Sequence, residues 1–279
     1  MANIHEMHYN NIKMIQAYLS FSSKGYHNGD IPEYLVDLHK LSAFYAKKHF
    51  GEVHLITDSY SKDFFKDISW TSVSTELDDV PTDYPEVWSL SKLYAYKEIC
   101  KRGDPFIHID NDAILWKPLP DRVINAEVFV QCPEDINKHG YEIDKFIEHC
   151  PYKQEFSSGP FIEYSYNLGI FGGKNLDFIS QYADKALDFV LNKKNKFYWQ
   201  KYKKYKNYWS KAVVAEQYFL AMMSAYYNQK VTCLFDKWPS EDEAESIGYS
   251  HVMGCKKDPN FQYKISHFSK SINFKNNFQ

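Results

Sequence analysis

Between Ile12 and Leu115, short apolar runs alternate with segments of helical period, and this alternation restricts the possible folds more than any other property of the chain. Ile12 to Phe21 is an apolar run followed by a Ser/Gly/Asn-rich loop. From Pro32 onward, Leu35, Leu38, Leu41 and Tyr45 recur at three- and four-residue spacing, which predicts an amphipathic helix. Gly51 is placed to end that helix, and Val53-His54-Leu55-Ile56-Thr57-Asp58 reads as a second buried strand closed by a turn residue. The unit then repeats. A polar-aromatic helix is expected before a strand at Thr71 to Thr75. A further helix from Ser89 to Lys101 leads through Gly103-Asp104-Pro105 into the run Phe106-Ile-His-Ile-Asp-Asn-Asp-Ala-Ile-Leu115. Such alternation predicts parallel βαβ units with right-handed crossovers, in which ligands bind beyond the carboxyl ends of the strands.

The second half is less regular. Glu127 to Gln131 and Tyr166 to Gly172 read as strands, Leu176 to Leu191 and Val213 to Tyr227 as helices, and Val231 to Phe235 as a last strand. No internal repeat is visible. With 279 residues, 44% hydrophobic and 25% charged, the chain has material for one large domain or two modest ones. A net charge of −3 gives no electrostatic basis for binding nucleic acid. Five scattered cysteines, an odd count without metal-ligand spacing, suit reduced thiols in a cytoplasmic protein better than a disulfide framework. The start Met-Ala-Asn-Ile-His-Glu lacks the pattern of a signal peptide, and no run approaches the roughly 20 apolar residues of a membrane span. The expectation is a cytoplasmic protein with at most peripheral membrane contact.

Asp110 and Asp112 stand where the strand from Phe106 emerges from the core. Residues i and i+2 of a strand share a face, so both carboxylates can reach one hard cation. The competing reading is a strand-ending turn, which Asp and Asn favour in any case. Near the other end, His251-Val-Met-Gly254-Cys-Lys256-Lys257 combines an imidazole, a glycine that permits close backbone approach, and two ammonium groups. Those parts suit a diphosphate and its cation, although a His-Gly-Lys loop is also an ordinary surface turn. In the basic-aromatic tract Lys193 to Lys211, Tyr198, Tyr202, Tyr205 and Trp209 fall at helical spacing. It reads either as a packed aromatic stripe with a solvated lysine face or as a surface for sugars or anions.

These residues, taken in order, resemble the GT-A glycosyltransferases, most closely glycosyltransferase family 8, which includes glycogenin and bacterial lipopolysaccharide galactosyltransferases. Asp110-Asn111-Asp112 is similar to the family's Asp-x-Asp, and His251, Gly254 and Lys257 to its His-x-x-Gly-x-x-Lys loop. Between them, Asn167-Leu-Gly169 resembles a strand beside the donor sugar, and Glu216-Gln217 an acidic-Gln pair that faces the reacting carbon. Lys92 is similar to a basic donor contact on the preceding helix. The tail continues Asp258-Pro259 where the family has Pro-Trp, which brings Lys256 forward as an alternative phosphate residue. The segment after the first strand, Ser20 to Tyr26, lacks the family's residues for a uracil ring.

The resemblance implies a mixed α/β sheet flanked by helices in a single catalytic domain over 1–279, with a nucleotide half at 10–130, an acceptor half at 131–260 and a tail at 261–279. It implies Mn²⁺ or Mg²⁺ held by Asp110, Asp112 and His251. It also implies a retaining transfer of a hexose from a nucleotide-diphosphate sugar, the UDP-sugar foremost, to a hydroxyl of a saccharide, lipid-linked glycan or protein. Gln217 and Glu216 would stand at the reacting carbon, and Lys92, Asn111, Asn167, Gly169, Gly254, Lys256 and Lys257 around the donor. Structural readings stand beside these: helix capping or a surface pair for Glu216, a turn amide for Asn167, and an exposed helix position for Lys92. Two other functions share some of the pattern. A haloacid-dehalogenase-like phosphatase also uses a strand ending in Asp-x-Asp, but places it near its amino terminus with a later acidic pair. Here the best later cluster, Glu241-Asp242-Glu243, reads as loop. The third reading is a binding module without turnover.

Overall fold

The computed structural model describes residues 15–25, 31–84, 87–138, 143–159, 162–201, 210–253, 256 and 258–272. In its first part, β1 (Gln16–Phe21), α1 (Glu33–Phe50), β2 (Val53–Thr57), β3 (Ser72–Ser74), α2 (Leu90–Cys100), β4 (Phe106–Ile109) and β5 (Ala113–Leu115) follow one another. Then come α3 (Asp121–Ile124), β6 (Phe129–Asp135), α4 (Ile143–His149), β7 (Tyr164–Gly173), α5 (Leu176–Leu191) and α6 (Lys193–Lys201). The chain continues through α7 (Ser210–Val213), a π-helical turn (Val214–Tyr218), α8 (Phe219–Tyr226), β8 (Thr232–Cys233), α9 (Glu241–Ile247), β9 (Tyr249–His251) and α10 (Pro259–Ser271).

Seven strands form one mixed sheet in the order β3-β2-β1-β4-β7-β6-β8. Strands β3, β2, β1 and β4 run parallel to one another. β7 runs antiparallel to both β4 and β6, and β8 parallel to β6. The expected mixed α/β sheet flanked by helices is therefore present, and it takes strands from both halves of the sequence.

Side-chain alternation divides the core. Ala17, Leu19 and Phe21 of β1 pack on one face with Val36 and Ala43 of α1, while Tyr18 packs on the other with Leu93 and Tyr96 of α2 and Phe189 of α5. Each fully buried large side chain contributes roughly 1.5–3 kcal/mol through its removal from water. Gly51 ends α1 at φ +75°, donating its N–H to Lys47 O at 2.9 Å, and Asn175 caps α5 by accepting from Phe178 N at 3.1 Å. α10 lies on α1, where Phe261 and Ile265 meet Leu35, Leu38 and Leu41.

Two local expectations are corrected. Before β3 there is only a short 3₁₀ turn, Lys62–Phe65. The Asp58 carboxylate takes the N–H groups of Ser61 and Ser23 at 2.7 Å each, so side-chain bonds replace helical ones, and Phe65 turns into the core. Glu241-Asp242-Glu243 is the first turn of α9, begun by a capping box between Ser240 and Glu243. In the basic-aromatic tract, 202–209 lie outside the described residues; in α6, Tyr198 and Trp199 are buried while Phe197 is exposed. Lys211 is buried as well, its ammonium capping Trp199 O. Among the described residues the cysteines are free thiols, and no helix is long and apolar enough to cross a membrane.

Candidate metal site

Strand β4 ends at Ile109, so the two acidic residues do not share the face of a continuous strand. Asp110 donates its N–H to Gly169 O at 2.9 Å, and its carbonyl accepts from Ala113 N at 3.1 Å, which closes a tight turn into β5. The turn and ligand readings of the motif are thus compatible: the turn itself aims both carboxylates into one cavity. Antiparallel pairing of β5 with β9 sets Ala113 opposite His251, and Asp112 O accepts from Val252 N at 2.9 Å. Residues far apart in sequence are held together by this register. One ligand atom each from Asp110, Asp112 and His251 lie within 4.8 Å of one another.

The His251 ring is fixed from behind. Its Nδ1–H donates to Gln131 Oε1 at 2.7 Å, and the same oxygen accepts the Tyr249 hydroxyl at 2.6 Å. Nε2 consequently faces Asp112 Oδ1 at 3.3 Å. With Nδ1 engaged behind it, Nε2 is the ring atom left for a cation shared with the Asp112 carboxylate. A hard oxygen pair with one imidazole is also a donor set that Mn²⁺ or Mg²⁺ accepts, so the residues fit the implied ion. Gly169 packs beneath them: a Cβ there would come under 3.0 Å from Gln131 Oε1, Tyr249 Oη and His251 Nδ1.

Each acidic ligand has its own ammonium. Lys256 pairs with Asp112 Oδ2. Burial by itself raises the Asp112 pKa, but His251 and Lys256 outweigh it and hold the carboxyl well below the usual range. Lys92 lies 2.9 and 3.1 Å from the two oxygens of Asp110 and 2.7 Å from Glu216 Oε1. Burial opposes its charge, yet these two carboxylates prevail and keep the ammonium protonated above the ordinary lysine value. Burial pushes Glu216 upward against the pull of Lys92. Lys92 is thus a buried ion-pair centre and not an exposed helix lysine.

A cavity of about 800 Å³ opens beyond the strand ends. Asp110, Asn111, Asp112 and His251 line it together with Lys92, Asn167, Gln217 and Lys256. Asn167 donates to Glu134 Oε1 at 2.7 Å and accepts from Gly169 N at 2.9 Å. Gln217 Oε1 is buried without a hydrogen-bond partner among the described residues. Glu216 is fully buried and does not line the cavity. Gly254 and Lys257 lie outside the described residues. The acidic run of α9 takes no part in this wall. Sequence reading missed Gln131, Glu134, Tyr96 and Tyr249; a polar residue closing the apolar run Val128-Phe129-Val130 was the available signal for the first.

A family model described as a family of unknown function, DUF6734, matches residues 13–277. The chain belongs to that family. No curated protein matches this DUF6734 chain. Among solved structures it is similar to mouse xyloside xylosyltransferase 1 in its apo form, at 11% identity and a TM-score of 0.43, covering 86% of this chain and 98% of the other. It is similar too to the galactosyltransferase LgtC in complex with donor and acceptor sugar analogues, at 8% identity and a TM-score of 0.45, covering 92% and 96%.

Proposed function

We propose that the chain is a metal-dependent GT-A glycosyltransferase, of the family 8 type, that moves a hexose from a nucleotide-diphosphate sugar to a hydroxyl acceptor with retention of configuration. One observation carries the reading: two carboxylates and an oriented imidazole meet on the wall of a cavity at the carboxyl ends of parallel strands. A divalent cation bound by Asp110, Asp112 and His251 supplies Lewis acidity for a diphosphate leaving group.

The other wall residues fit the same reaction. Lys256, beside Asp112, adds positive charge where a diphosphate would sit. Asn167, held by Glu134, offers a fixed amide to a sugar ring, and Gln217 lines the same cavity as the residue for the reacting carbon. A volume of about 800 Å³ is ample for a nucleotide sugar. UDP-sugars are the donors we favour, with a saccharide, lipid-linked glycan or protein as acceptor.

The test is incubation with a panel of nucleotide sugars and Mn²⁺, with nucleoside diphosphate release as the readout. Asp112→Ala should abolish metal-dependent donor cleavage, and full activity in that variant would exclude the metal site. Phosphate release from phosphomonoesters would instead support a phosphatase. Nucleotide binding without turnover would support a binding module.

A further inference from the structure

We infer that Glu216 is a positioning residue that sets, through Lys92, how far the Asp110 carboxylate is available to a divalent cation. The inference rests on the metal-dependent reading above. Its basis is a buried chain of contacts running from the π-helical turn to the strand end. Glu216 Oε1 receives the Lys92 ammonium at 2.7 Å and the Tyr96 hydroxyl at 3.0 Å. Lys92 in turn grips both oxygens of Asp110 at 2.9 and 3.1 Å. Lys92 and Tyr96 stand four residues apart on α2, on one face of that helix. Tyr182 OH donates to the Glu216 carbonyl at 2.9 Å and anchors the π-helical turn from behind.

Two features separate Glu216 from direct chemistry. It has no exposed surface, and its neighbour Gln217 is the residue that reaches the cavity wall. A π-helical turn locally displaces side chains from the ordinary helical faces, and such turns are frequent at functional sites. Here the turn sends the Glu216 carboxylate inward to Lys92, while the next residue, Gln217, lines the cavity.

The consequence follows from charge. One ammonium is shared between two carboxylates, so each holds it less tightly than it would alone. Neutralising Glu216 leaves Asp110 as the sole anionic partner of Lys92 and draws that carboxylate away from an incoming cation. It also removes a negative charge next to the site. Both effects weaken metal binding. Removing the Tyr96 hydroxyl acts in the opposite sense, since Glu216 then loses a competing donor and holds Lys92 more strongly.

The experiment is a Mn²⁺ titration of the full chain by electron paramagnetic resonance, without nucleotide. It is paired with turnover of a donor used by the wild type, measured as a function of Mn²⁺ concentration. Circular dichroism checks that each variant is folded. For Glu216→Gln the Mn²⁺ Kd should rise by about 10-fold, in the range for residues behind metal ligands. At saturating Mn²⁺ its kcat should return to within about threefold of wild type, because the lost function lies in holding the metal. For Tyr96→Phe the Mn²⁺ Kd should stay equal or fall. An unchanged Kd in Glu216→Gln, or a raised Kd in Tyr96→Phe, overturns the inference while leaving the transferase reading intact. So does a collapse of kcat in Glu216→Gln at saturating Mn²⁺, which would mark a group acting at the reacting atoms. A wild-type protein that binds no Mn²⁺ overturns the metal-dependent reading and this inference together.

Discussion

His39 offers a quantitative test of the core on which the site is built. It sits on α1 with no exposed surface, its ring 4.3 Å from Phe65, 5.6 Å from Phe21 and 5.9 Å from Trp70. Neither ring nitrogen has a hydrogen-bond partner among the described residues. A buried polar group left unpaired costs about 1–3 kcal/mol. Lost ring contacts in His39→Leu take back about 0.5–1.5 kcal/mol, so the variant should gain about 1 kcal/mol at pH 7. Burial also pushes the His39 pKa down from 6.5 to about 3. Below pH 6.5 the unfolded chain takes up a proton that the folded chain refuses, so stability falls as pH drops from 6.5 toward 3. Between pH 7 and pH 5 that difference removes about 2 kcal/mol from the wild type through this residue alone. The leucine variant lacks this loss, and its advantage should widen to about 3 kcal/mol at pH 5. Urea denaturation of both proteins at the two pH values measures it directly. An advantage that stays constant with pH, or a variant less stable at pH 7, would refute the reasoning.

Other substitutions probe the site. Gln131→Leu removes the acceptor that fixes the His251 tautomer and should weaken Mn²⁺ binding by about 10- to 100-fold in a titration, with the fold retained by circular dichroism. Gly169→Ala drives a methyl group against Gln131, Tyr249 and His251; it should cost about 1–3 kcal/mol in urea denaturation and weaken Mn²⁺ binding at the same time. Lys256→Met removes the ammonium beside Asp112 and should weaken nucleoside diphosphate binding in calorimetry by more than tenfold, roughly the factor for a charge-assisted pair.

Much of the fold could be read from periodicity because the physics is local. Leu35, Leu38 and Leu41 declare a helix face, and the run at Val53 declares a buried strand, whatever the rest of the chain does. Strand direction is different. An apolar run such as Tyr166 to Gly172 carries no sign of polarity, so the antiparallel placement of β7 between β4 and β6 emerged only in three dimensions. At the site, Asp110, Asp112 and His251 were legible as residue types suited to a cation. The turn and the β5–β9 register that join them were not. Adjacent residues such as Glu216 and Gln217 look equivalent in sequence. Their divergence depends on a π-helical turn and on Tyr96, 120 positions earlier, which no local pattern encodes. The capping box at Ser240 and Glu243 was readable, and the α9 it begins corrects the loop reading of Glu241 to Glu243.

The central claim is that Asp110, Asp112 and His251 bind one divalent ion. Crystals grown with Mn²⁺ and UDP, measured at the manganese absorption edge, test it most directly. A single strong anomalous peak is expected within coordination distance of both carboxylates and of His251 Nε2, with the diphosphate on its open side. A peak elsewhere, or none in the presence of bound nucleotide, would contradict it.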